Sequence, residues 1–139
     1  MWAWYLEAAP SALPAASLLS NPGSRLQSAD LSRAVRDIGA GKRNTDIWYN
    51  LVDNAGQRLG SPAAIAVRTF DSGGWFVPSK FEIEHLISIS PSDHAIRLET
   101  WATSSFLGGE NAYSIGVGGG SAELWLGNIY TKIWPVRSW

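Results

Sequence analysis

The residue types able to carry acid–base, nucleophilic or metal chemistry are few in this chain, and their spacing does not suit it. There is no cysteine, which removes thiolate nucleophiles, disulfides and cysteine-ligated zinc. The two histidines, His85 and His94, do not stand with Ser and Asp or Glu at a spacing that signals a triad or a metal pair. Glu82 and Glu84 are neighbouring carboxylates, but on a helix positions i and i+2 diverge and cannot flank one bond. Ser79 followed three residues later by Glu82 reads instead as a capping box. The stretch "GAGKRNT" contains the Gly-Lys step of a phosphate loop, yet the upstream Gly of that pattern is absent and Arg43, not Ser or Thr, follows Lys42. It reads as a helix-start turn. The residues therefore predict no enzyme and call for no cofactor.

What the chain does concentrate is aromatic and small residues near its C-terminus, in "TWATSSFLGGENAYSIGVGGGSAELWLGNIYTKIWPVRSW". Segments 112–117, 122–126 and 131–136 have strand-like content, and Gly118-Gly119-Gly120 and Gly127-Asn128 supply turn positions between them. A short antiparallel sheet follows. Tyr113, Ile115, Val117, Leu124 and Leu126 would bury one face, leaving Ser and Gly on a face open to contacts. Eight tryptophans are spread from Trp2 to Trp139, a distribution that predicts mostly core positions whose indole N–H groups need backbone acceptors. Trp125, near Glu123 at the turn of the tail, is the expected exception, and Trp75 an expected buried anchor.

The elements that must position this tail come earlier. At 139 residues the chain fits one domain spanning 1–139, large enough to bury about 68% of its unfolded surface around a single core. Residues 2–7 read as a first strand, and 8–28 as a Pro/Ala/Ser-rich loop. Helices are predicted over 29–38, ending at Gly39, from Thr45 as cap to a stop at Gly56, from Ser61-Pro62 through "AAIAVRTF", and from Ser79 through Ile87. Residues 97–104 return to a strand pattern. Helices first and strands last give an α+β class. The net charge of −1 and the scattering of basic residues along the sequence give no footprint for nucleic acid or an anionic membrane. The N-terminal stretch lacks a basic region and is broken by Pro10 and Pro14, so neither a signal peptide nor a membrane helix is predicted.

The segments "WYLEAAPSAL", "IGAGKRNT", "GGWFVPSKFEIEHL", "TWATSS", "NAYSIGVGGGS" and "PVRSW" resemble, in order and spacing, a bacterial and phage family of C-type-lectin-fold domains. That family reads Tyr-Leu-Glu-Ala-Ala-Pro, Gly-Lys-x-Asn-Thr, Asp-Trp-Phe-Leu-Pro-Ser-Lys and a closing Val-Arg-x-Phe, and it is similar in fold to variable proteins diversified by retroelements. The resemblance implies short helices packed on a small antiparallel sheet, with a C-terminal strand-rich ligand face between Ser105 and Tyr130. Exchangeable outward positions would be Ser114, Gly116, Gly118, Ser121 and Ala122, preceded by a loop of Phe106, Leu107, Gly109 and Glu110. Tyr113, Val117, Val136, Arg137 and Trp139 would be framework. The chain departs from the family at Gly74, which stands where the family has Asp, and in a short segment between His85 and Trp101. The calcium-binding loops of animal lectins are missing, so calcium could be held only through Asp93, Glu110 or Asn111.

Two functional expectations follow. The first is a non-enzymatic lectin-like binding or display module that recognises a protein or glycan on another cell, as in receptor recognition by a phage or cell surface. Its contacts would be Phe106, Leu107, Gly109, Glu110, Ser114, Gly116, Ser121, Glu123, Trp125 and Tyr130, with an exposed Phe106-Leu107 pair favouring a protein ligand. The second is a structural or decoration protein of a virion, meeting other virion proteins or itself. Both imply a location on a virion or cell exterior as part of an assembly, with no nucleic-acid partner and no membrane insertion.

Overall fold

A computed structural model describes residues 6–19, 33–52, 56–58, 60–71, 73–108 and 111–138. Strand β1 (Leu6–Ala8) pairs antiparallel with β5 (Val136–Ser138), opposing Leu6 to Ser138 and Ala8 to Val136. Between them come helices α1 (Gly41–Asn50), α2 (Pro62–Arg68) and α3 (Lys80–Ile89), then the antiparallel meander β2 (Trp101–Gly108), β3 (Asn111–Ile115) and β4 (Ser121–Trp125). The class is α+β, with three helices and two small antiparallel sheets among the described residues. No described helix is long and apolar enough to cross a membrane.

Local sequence explains the two best-formed helix starts. Ser61 caps α2 through its side chain, with Pro62 in the first turn where a missing N–H costs nothing. Ser79 and Glu82 form the expected capping box on α3. Glu82 does more than cap its own helix. It is fully buried; Oε1 accepts from the Ser79 N–H at 2.7 Å, Oε2 from the Gly39 N–H at 3.0 Å, and the Gly41 N–H also donates to the carboxylate. Ala40, the residue before α1, provides no side-chain cap, so Glu82 satisfies the start of α1 from across the fold. Burial pushes its carboxyl above the ordinary range, and the donated hydrogen bonds pull against that shift.

Two groups of buried side chains form the core. One gathers Trp48, Leu19, Val67, Leu126 and Ile133 between the helices and the sheet. The other gathers Phe76, Ile83, Ile96, Trp101, Ile115, Trp134 and Val136. The expected satisfaction of buried indoles by backbone carbonyls holds for Trp48 on Ser104 (2.8 Å), Trp101 on Ile96 (2.6 Å) and Trp134 on Ala9 (2.9 Å). Trp75 is buried as anticipated, packed edge-on to Phe70 and beneath the Arg137 guanidinium, but its Nε1–H has no acceptor.

Several expectations need correction. Residues 33–38 are irregular, with turns only at Arg33 and Ile38, and are not the C-terminal part of a helix; 29–32 lie outside the described residues. Their carbonyls are taken by distant partners: Ala34 accepts from the Phe106 N–H, Val35 from Asn44 and Ser105, Arg36 from the Phe81 N–H and Asp37 from Ser79. An i to i+4 ladder has no acceptors left. Thr45 is not a helix cap but a buried residue inside α1, donating to the Gly41 carbonyl at 2.8 Å and accepting from the Val77 N–H at 2.9 Å. The helix starts five residues earlier, at Gly41, because Glu82 caps it. In place of a strand from residue 97, Ala95–Arg97 is a 3₁₀ turn whose His94 Nδ1 accepts from the Ile96 N–H at 3.1 Å. Within 131–136, Lys132 and Ile133 make only isolated bridges, to Trp101 and Leu13, and the strand begins at Val136, after Pro135.

Candidate functional site

The site is built from the end of β4 onward. β4 is the edge of its sheet and pairs only with β3, setting Glu123 opposite Tyr113 and Trp125 opposite Asn111. Alternation along a strand places Ser121, Glu123 and Trp125 on one face, and all three are exposed. Leu126 is then buried in the core, where its carbonyl accepts from the Leu19 N–H at 2.9 Å, and this anchors the turn that follows. Gly127 lies under the Trp125 indole: a Cβ built there would stand 2.8 Å from Cη2 of that ring. A larger residue there would displace the indole from this position.

Asn128 fixes the rest of the turn. Its N–H donates to the Trp125 carbonyl at 2.9 Å, and its Oδ1 accepts from the Tyr130 N–H at 2.8 Å, the Thr131 N–H at 3.1 Å and the Thr131 hydroxyl at 3.3 Å. This is an Asx turn, in which a short side chain replaces backbone acceptors. It holds out Trp125 at 53%, Ile129 at 60% and Tyr130 at 83% exposure. Three large apolar residues on one hydrogen-bonded turn, beside the exposed Glu123 carboxylate, form a contact surface whose backbone is already ordered.

Beside the sheet runs a shallow groove of about 320 Å³ lined by Ala34, Arg36, Phe106 and Tyr113. The Arg36 guanidinium stands 5.5 Å from the Phe81 ring centroid and 5.7 Å from that of Tyr113, with the Lys80 ammonium 5.6 Å from Tyr113.

The residues expected at the ligand face divide. Ser121, Glu123, Trp125 and Tyr130 are exposed where expected. Gly109 and Glu110 lie outside the described residues. Gly116 is half-buried, its N–H donating to the Gly120 carbonyl at 2.6 Å. Phe106 and Leu107 are not an exposed loop pair. They lie within β2, just before its end at Gly108, both half-buried, with Phe106 packed edge-on to Trp48 at 6.4 Å. Ser114 does not face outward: it sits in the middle strand between Ala102 and Ala122, on the face of the core residue Ala112, at 2% exposure. Val117, expected as framework, is 67% exposed because β3 ends at Ile115 and a 3₁₀ turn follows. Sequence reasoning missed Ile129 and the approach of Arg36 to Tyr113. The Asn128 turn was the signal available for the former.

Glu82 turns inward to Gly39 and Ser79 while Glu84 pairs with Lys80, so the two carboxylates diverge. His85 is exposed on α3, and the His94 ring packs 5.5 Å from Trp134. Among the described residues no group of three His, Cys, Asp or Glu side chains could hold a metal ion. Comparison of the chain with family models, with curated proteins and with solved structures yields no match. The geometry of the turn is therefore what a functional reading must stand on.

Proposed function

We propose that this chain is a non-enzymatic, lectin-like binding module that recognises a protein or glycan on another cell through the edge strand β4 and the turn that follows it. The observation that carries this reading is the ordered exposure of Trp125, Ile129 and Tyr130 on a turn tied by Asn128. Rigid aromatic side chains give large contact area at low entropic cost, and residues placed before the ligand arrives lose less on binding. Kinship with C-type-lectin-fold domains and with retroelement-diversified proteins rests on the six sequence motifs, and it is part of the proposal. So is an exterior location on a cell or virion. The decoration-protein reading draws on a different observation: Ile38, Ile89 and Leu98 are also exposed, away from β4 in sequence, and would suit contacts within an assembly.

The test is a printed array of glycans and cell-surface proteins probed with the wild-type chain and with Trp125→Ala and Tyr130→Ala. Each variant should lose at least about tenfold in binding to any protein or uncharged glycan that the wild type captures, as removal of a central aromatic anchor does. Neither should lower stability by more than about 1 kcal/mol, because both side chains are exposed. Undiminished capture by both variants would refute the reading, and a monomer that captures nothing yet assembles onto particles would favour decoration.

A further inference from the structure

Basic residues that are scattered in the sequence come together around the outer side of α1. Arg33 and Arg43 line a depression of about 290 Å³ on one side of Asp46, and Lys42 and Arg68 line another of about 370 Å³ on its other side. Arg58 joins them, donating to Asn50 Oδ1 at 3.1 Å. The Tyr49 ring is flanked by Arg58 at 4.7 Å and Arg68 at 3.9 Å from its centroid. All five cations are exposed, and Asp46, bound to Arg68 at 3.0 Å, is the one carboxylate lining either depression among the described residues.

Helix stability does not account for Lys42 and Arg43. Lys42 and Arg43 occupy the first turn of α1, which contains no acidic residue, and cations there oppose the helix dipole. Lys42 and Arg43, set against the helix dipole and joined by Arg33, Arg58 and Arg68 beside two depressions of similar size, fit a ligand that brings its own repeated negative charge. Nucleic acid also carries such charge, but single strands are held by bases stacking on open aromatic faces. Here Tyr49 is occupied by two guanidinium groups and Trp75 is buried under Arg137.

We propose that the outer face of α1 binds an acidic polysaccharide, a chain of carboxylated or sulfated sugars whose successive units occupy the depressions on either side of Asp46. This surface is separate from the aromatic turn, so it stands or falls independently of the function proposed above.

The experiment is chromatography of the full chain on heparin-agarose, alginate-agarose and neutral dextran at low ionic strength. Retention on at least one acidic resin and none on dextran is expected; the stronger resin identifies sulfate or carboxylate as the preferred group. Raising salt from about 0.05 to about 0.2 M should weaken binding by roughly tenfold or more, since several ion contacts are displaced together. The double variant Lys42→Ala, Arg43→Ala should lose most of the retention with no loss of stability, and Trp125→Ala should retain it. Elution of the wild type with the dextran control, wild-type retention by the double variant, or stronger binding to single-stranded DNA than to heparin would each overturn the proposal.

Discussion

Replacing Trp101 by alanine is expected to lower stability by about 3 to 5 kcal/mol, a large part of the roughly 5 to 15 kcal/mol available to a domain. Trp101 is fully buried at the start of β2, where three parts of the fold meet. Its indole N–H donates to the Ile96 carbonyl of the 3₁₀ turn, and its ring stands edge-on to Trp134 with centroids 5.1 Å apart and planes at 88°. A parallel bridge to Lys132 joins it to the segment leading into β5. Truncation opens a cavity, leaves the Ile96 carbonyl without its donor and removes the aromatic pair. Trp101→Phe keeps most of the volume and the ring, so it should lose clearly less. Urea unfolding monitored by circular dichroism measures both, and a loss under about 1 kcal/mol for Trp101→Ala would show that this junction does not hold the fold.

The second large effect lies at Glu82. Glu82→Ala should cost about 3 kcal/mol or more, because the N–H groups of Gly39, Gly41 and Ser79 would be left buried around an empty space. Glu82→Gln keeps an acceptor in place and should lose less. The same pair of proteins reports the sign of the pH dependence. Burial raises the folded carboxyl above its ordinary 4.5, so the folded state holds the proton more tightly than the unfolded state. Its contribution is then fully present below about pH 4.5 and declines as pH rises through the folded value. Wild type measured against Glu82→Gln should therefore lose relative stability from about pH 4 to neutrality. A relative gain over that range would mean that the hydrogen-bond donors at the helix starts outweigh burial. Gly41→Ala probes the same junction from the other side, because a Cβ there would collide with the Glu82 carboxylate and stand 2.8 Å from the Phe76 ring.

What was legible in the sequence was what local rules decide. Ser61-Pro62 and the Ser79/Glu82 pair start helices because every group involved lies within one turn. The α+β order and the exposure of Trp125 also followed from local pattern, whereas Tyr130 was placed on the open face only by the family resemblance. Long-range hydrogen bonds decided the rest. Residues 34–37 have acceptable helical residues, yet their carbonyls serve Phe106, Asn44, Ser105, Phe81 and Ser79. Thr45 has the type of a cap, but the carboxylate that starts its helix comes from Glu82, 37 residues downstream by position (82 − 45). Ser114 shows the limit of period-two reasoning. Alternation tells which residues share a face, whereas burial of that face depends on what packs over it. The charge patch on α1 was invisible for a similar reason: Arg33, Lys42, Arg43, Arg58 and Arg68 form no run, and only folding brings them to one surface.

Recognition through an aromatic turn ordered in advance by Asn128 is open to a direct test. The direct measurement is array binding of Asn128→Ala beside the wild type, with thermal unfolding of both. The variant leaves Trp125, Ile129 and Tyr130 in place but removes the Oδ1 that accepts from the Tyr130 and Thr131 backbone. Binding should weaken by at least about fivefold with the fold intact, since the ligand must now order the turn itself. Binding equal to the wild type from an equally stable Asn128→Ala protein would contradict it.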